Sequence, residues 1–345
     1  MTALTLGSDR TAPAAKRTPA PGTHWLLRLH RPAFHGWIGV VAVLGLALIW
    51  LWGPLTDSAI QGWRQYNACD YDAGPCAYDQ NAIVRYKSVY MYTTGALTAL
   101  PFVVAAWAGA SLFGRELEHG TAQLAWTQGL SPVRWLATKL AVPAVLVAAG
   151  TGLLVTLHRL TWSAGDGRID TAKNWHDSLT LHTNGPTTVA LALTGLTAGA
   201  LAGLLLRRTL PALMLALGFV AALRVLADLA MPHLWPTFTK VTSLGDAHRS
   251  DGMQVDSGLV TSSGAHVADP GCGPASSSDT CAALYKKLDA TGFYSSYHPE
   301  SHYWPLQLTT TALVLAVAAA LAVAAFVLIR RTTATTPRVA QEAAV

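Results

Sequence analysis

Residues 113–135 read "FGRELEHGTAQLAWTQGLSPVRW". This charged, glycine-interrupted stretch lies between two runs without Asp, Glu, Lys or Arg, at 88–114 and 140–158. Three more such runs occupy 32–56, 178–206 and 301–329. A helix needs about 20 apolar residues to cross a bilayer, and all five runs meet or nearly meet that length. A sixth segment, 209–231, is apolar apart from Arg224 and Asp228. Charged residues make up 12% of the chain, about half the share usual in soluble domains. The fold class expected is therefore an all-α integral membrane protein with six transmembrane helices.

The charges set the expected orientation. With both termini cytoplasmic, the inner segments hold 13 Lys/Arg against 4 Asp/Glu, net +9, and the outer loops hold 10 against 14, net −4. This is the positive-inside pattern. It places 113–135 on the cytoplasmic side and loops 54–88, 159–186 and 232–304 outside. Dropping the 209–231 span would send Arg330 and Arg331 outward, against the pattern. The basic balance is thus a membrane signature, and no nucleic-acid partner is needed to explain it.

Residues 1–23, rich in Ala, Pro and Thr, read as a disordered cytoplasmic tail and not as a cleaved signal. Residues 24–37, "HWLLRLHRPAFHGW", read as an interfacial helix leading into the first span. One membrane domain is expected over 24–331, followed by a tail at 332–345. In the outer loop 232–304, residues 279–290 suit one short helix, and the rest shows no strong period. Cys69, Cys76, Cys272 and Cys281 all fall in outer loops, where oxidation is possible. The short spacings favour Cys69–Cys76 and Cys272–Cys281 over cross-links between loops. Gly195, Gly199 and Gly203 recur every four residues, making one helix face nearly smooth. That face suits either close packing inside this chain or a seam between two copies.

Few residues carry chemistry of their own. Arg224 and Asp228 are i, i+4 on one helix and form an intramembrane pair, structural or concerned with gating. His298 and His302 have a spacing that a metal can bridge, but Pro299 interrupts it and no further ligand is at hand, so no metal is expected. None of the seven lysines follows a glycine, so the phosphate-cradling G-x-x-x-x-G-K-[ST] loop is absent. Any ATP-driven step must take its energy from another chain.

As a helix, the quoted stretch puts Leu117, Thr121, Leu124 and Ala125 on one face, with Gly120 dividing it and Thr121 placed to cap a second short helix. Ser131 and Pro132 form a helix start. The run "RELEHGT" (115–121) followed by "LAWTQGLSPVRWLATKL" (124–140) resembles the permeases of the ABC type-2 exporter family. Arg115, Glu116, Glu118, Gly120, Thr121, Trp126, Gln128, Arg134, Trp135 and Lys139 fit its pattern, and Pro132 stands where a second basic or small residue is more usual. The resemblance implies a permease subunit in the cell membrane. It also implies a coupling helix between helices two and three that receives motion from a separate ABC ATPase. ATP and Mg would be bound by that ATPase, with no cofactor in this chain, and a second permease copy or paralogue would complete the pathway. Glu116 and Glu118 would meet basic groups of the ATPase, and Arg115 and Arg134 would fix the helix. The rival readings are a polytopic sensor or a membrane enzyme built on the outer loop. A sensor needs a larger cytoplasmic output than the 14 residues after Arg331. An enzyme needs ionisable residues inside several spans. The nearly uncharged interiors hint at an apolar or amphiphilic cargo.

Overall fold

The computed structural model describes residues 31–70, 74–127, 130–170, 172–244, 252–272 and 278–334. The described residues form nine helices: α1 (Arg31–Asn67), α2 (Gln80–Glu118), α3 (Thr121–Thr127), α4 (Pro132–Gly165), α5 (Ser178–Thr183), α6 (Thr187–Leu206), α7 (Thr209–Ala230), α8 (Ser278–Lys287) and α9 (Tyr303–Ala334), besides two short 3-10 turns. Helices α1, α2, α4, α6, α7 and α9 are each long and apolar enough to cross a membrane. The outer loops are shorter than expected from sequence, because the helices overrun their apolar cores. α1 continues through π-helical Leu51–Leu55 to Asn67, and α2 begins at Gln80. Arg31–Trp37 is continuous with α1 and residues 332–334 continue α9, whereas 1–30 and 335–345 lie outside the described residues.

Local sequence sets the helix boundaries. The Asp79 carboxylate accepts from Ala82 N (3.0 Å) at the start of α2. Ser131 caps α4, with Pro132 in its first turn. Between α6 and α7 the turn is very tight. Arg207 takes the left-handed conformation (φ 49°) and Arg208 is extended before Thr209 starts the next helix.

Helix α6 is the centre of the bundle, with 67% of its apolar window buried against 22–56% for the other five. Its glycines explain how. A Cβ on Gly195 would stand 2.6 Å from the Pro101 carbonyl oxygen. One on Gly199 would stand 2.6 Å from the Ala108 Cβ, and one on Gly203 2.6 Å from the Phe113 Cβ. The smooth face is thus occupied by α2 of the same chain. Two buried apolar clusters mark the ends of the bundle. One gathers Phe113, Trp135 and Ile329 near α3. The other gathers Leu55, Trp162, Met231 and Tyr303 at the opposite end.

The expectation of an all-α chain is corrected at that opposite end. Residues between α7 and α9 form a four-stranded antiparallel sheet of order β1-β4-β2-β3. The strands are β1 (Phe238–Ser243), β2 (Met253–Thr261), β3 (His266–Val267) and β4 (Ala290–His298). β1 pairs Phe238 with Tyr297 through Ser243 with Gly292, and β2 pairs with β4 across a register shift between Gln254 and Asp256. The period was unreadable because five of the six β1 residues are exposed, which leaves no alternation of buried and open positions. Ladder bonds and cross-strand contacts hold the sheet instead, such as the stacked His266 and Tyr294 rings 3.9 Å apart. The structure pairs Cys69 with Cys76 and Cys272 with Cys281, each with Cα atoms 5.7 Å apart. The second disulfide ties α8 to the loop before it.

Candidate functional site

Helix α2 leaves the bundle through an unusual stretch. Ala108–Gly114 is π-helical, and one α-helical turn, Arg115–Glu118, follows. Gly120 then takes φ +71°, a conformation that costs glycine little, and the chain restarts as α3. The break resets the helical phase, which corrects the shared face expected from sequence. Ala122 is buried, and Leu117, Ala125 and Trp126 pack onto the cluster around Trp135. Leu124, by contrast, is 60% exposed. Thr121 does not cap α3 either: its hydroxyl donates to the Glu116 carbonyl (3.2 Å) and closes the preceding turn.

Behind the loop lies a buried cation. Lys139, on α4, is fully buried, and its Nζ donates to the Leu112 carbonyl (2.8 Å) and forms an ion pair with the Glu116 carboxylate. The ammonium sits 5.1 Å from the Trp135 ring and 5.8 Å from the Phe113 ring, within cation–π range. Trp135 meets Trp126 of α3 edge to face at 5.7 Å. Glu118 turns another way. Its carboxylate accepts from Thr209 N (2.8 Å) and from the Thr209 hydroxyl, satisfying an otherwise free N–H at the start of α7. Glu116 and Glu118 are therefore both engaged within this chain. Exposed residues of the loop include Arg115, His119, Thr121, Gln123, Leu124, Thr127 and Arg134, and Glu118 is exposed although engaged by Thr209. Gln128 lies outside the described residues.

A second polar group lies toward the sheet end. Arg224 Nη1 donates to Asp228 Oδ1 (2.7 Å). His182, on α5, also pairs with this carboxylate through Nε2. Sequence reading missed His182, since it is far from Arg224 in the chain and sits in a run that looked charge-free. Burial pushes its imidazole below the usual value, against the opposing pull of Asp228. Its Nδ1 is buried without a hydrogen-bond partner among the described residues. A cavity of about 10 Å³ adjoins it, lined also by Thr98, Thr188 and Arg224. Nearby, fully buried His158 bonds Thr94 (2.7 Å) and Asn184 (2.5 Å). The His298 and His302 rings contact each other through Nδ1 (3.0 Å), and His298 Nε2 bonds the Pro232 carbonyl (2.9 Å). Among the described residues, no group of three or more His, Cys, Asp or Glu is placed to hold a metal.

Between α1, α2 and α4 runs an apolar groove of about 790 Å³, walled by residues such as Phe34, Trp37, Val43, Leu100, Trp107 and Leu146. Residues 38–231 of 345, more than half of the chain, match the family described as ABC-2 membrane transporter related. No curated protein and no solved structure matches the chain. Six membrane-length helices and this match agree, and the chain belongs to the ABC-2 membrane transporter related family as a multi-pass ABC-2 type permease.

Proposed function

We propose that this permease serves an exporter in the cell membrane and that α3 with its flanking turns docks on a separate ABC ATPase, which binds ATP and Mg. The α3 end then faces the cytoplasm and the sheet faces outward, as the positive-inside distribution requires. Two permeases and two ATPases form the working unit. The observation that carries the reading is the split character of α3. One side, with Ala122 and Trp126, is seated on the α4 start, while Leu124 stands 60% exposed and Arg115, His119 and Gln123 are exposed too. A helix held from behind with an apolar residue projecting in front suits a groove on a partner. Because α2 fills the Gly195–Gly199–Gly203 face, the second permease docks on another surface. The apolar groove beside α1 supports an apolar or amphiphilic cargo.

The test is co-purification of the ATPase with variants altered only on the outward side. Leu124→Glu should insert and behave as a monodisperse particle, yet lose the ATPase. Retained ATPase would place the docking surface elsewhere.

A further inference from the structure

We infer that Lys139 is a positioning residue for coupling: it clamps the π-helical stretch of α2 and so carries displacement of the α3 loop to α7. The inference rests on the docking role proposed for α3.

A π-helical turn holds more residues than an α-helical one, so the stretch has a tighter register open to it, and such segments recur at functional sites. In Ala108–Gly114 the Leu112 carbonyl receives the Lys139 ammonium at 2.8 Å. The same ammonium pairs with Glu116, in the turn that leads to Gly120. One buried cation thus ties the π stretch to the base of the α3 loop. It is reached from α3 by direct contact, since Trp126 abuts Trp135 and Trp135 covers the Lys139 Nζ.

On the far side the stretch has no slack against α7. A Cβ on Gly109 would stand 2.9 Å from the Ala212 carbonyl oxygen, and one on Gly114 would stand 3.1 Å from the Thr209 Cα. Movement of the stretch must therefore move the first turns of α7. That helix also carries Arg224 and Asp228 and leads into β1. A fully buried ammonium is costly unless its partners are well placed, and an apolar side chain of similar size would fill the space at less cost. The charge makes sense as a means of fixing the register of two segments of α2 at once.

The experiment uses the permease–ATPase complex with spin labels at Leu160→Cys on α4 and Leu226→Cys on α7, which leaves the docking side of α3 unaltered. Both positions are exposed, and the native cysteines are paired. The distance between labels is measured without nucleotide and after trapping with Mg-ATP and vanadate. A shift is expected in the otherwise unaltered complex. In Glu116→Gln/Lys139→Met, which removes both charges so that neither is left alone, the shift should be lost while the ATPase still co-purifies. A full shift in that variant overturns the clamp and leaves the docking role standing. If the unaltered chain binds no ATPase, the docking role fails and the clamp fails with it. Should the double variant not assemble, Glu116→Gln alone carries the test: a reduced shift supports the clamp, and a full shift overturns it.

Discussion

The two ends of the bundle handle charge in opposite ways. Near α3, one fully buried lysine is held by a carbonyl and a carboxylate of a single neighbouring helix. Near the sheet, one carboxylate that is a third exposed is shared by an arginine on its own helix and a histidine from α5. The first arrangement leaves little solvent to screen a broken partner, with the lysine fully buried and Glu116 only 13% exposed. The second lets water replace whatever is lost. A rigid, all-or-none joint is thus expected at the α3 end and a softer, pH-responsive one at the sheet end.

The largest effect is expected from Lys139→Met, which leaves the Glu116 carboxylate, only 13% exposed, without its cation and should cost about 3–5 kcal/mol. The double variant Glu116→Gln/Lys139→Met should recover most of that, measured as thermal unfolding in detergent. Equal loss in both variants would mean that Lys139 contributes by packing alone. Next comes Gly199→Val, whose added atoms meet the Ala108 Cβ and the Gly109 backbone at 2.6 Å. It should cost about 1–3 kcal/mol by overpacking, and a neutral result would mean that α6 can move away from α2. Asp228→Asn should destabilise less than Lys139→Met, because the site is partly wet. The smallest effect concerns pH. The His182 imidazole titrates below its unfolded value of 6.5 because of burial. Its neutral form is therefore favoured by folding, and this contribution is fully present above pH 6.5 and declines as pH falls below it. The unfolding temperature should drop modestly between pH 7.5 and 5.5, and His182→Gln should flatten that slope. An unchanged slope would remove His182 as its source.

Much of the bundle was legible in sequence because lipid imposes a simple rule: long charge-free runs must become helices. The α4 start was legible too, since Ser131 and Pro132 act locally. The sheet was not, because β1 is exposed along nearly its whole length and offers no period. At the loop, residue identities pointed to the right place but not to the right contacts. Glu116 and Glu118 look like surface acids in "RELEHGT", and only the fold brings Lys139 and Thr209 to them. Substituting Glu116 is consequently a poor probe of docking, since Glu116→Lys would set two cations together in the interior. Leu124 is the better probe. Sequence placed it on one face with Leu117 and Ala125, which pack inward while Leu124 does not, because the phase change at Gly120 is invisible to a periodic count.

In the function proposed above, the outward side of α3 receives the ATPase. The most direct measurement is recovery of the ATPase with Leu124→Glu, normalised to the permease and compared with the unaltered chain. A folded permease with its ATPase lost is the result predicted. Undiminished recovery of the ATPase would mean that α3 is not its docking surface.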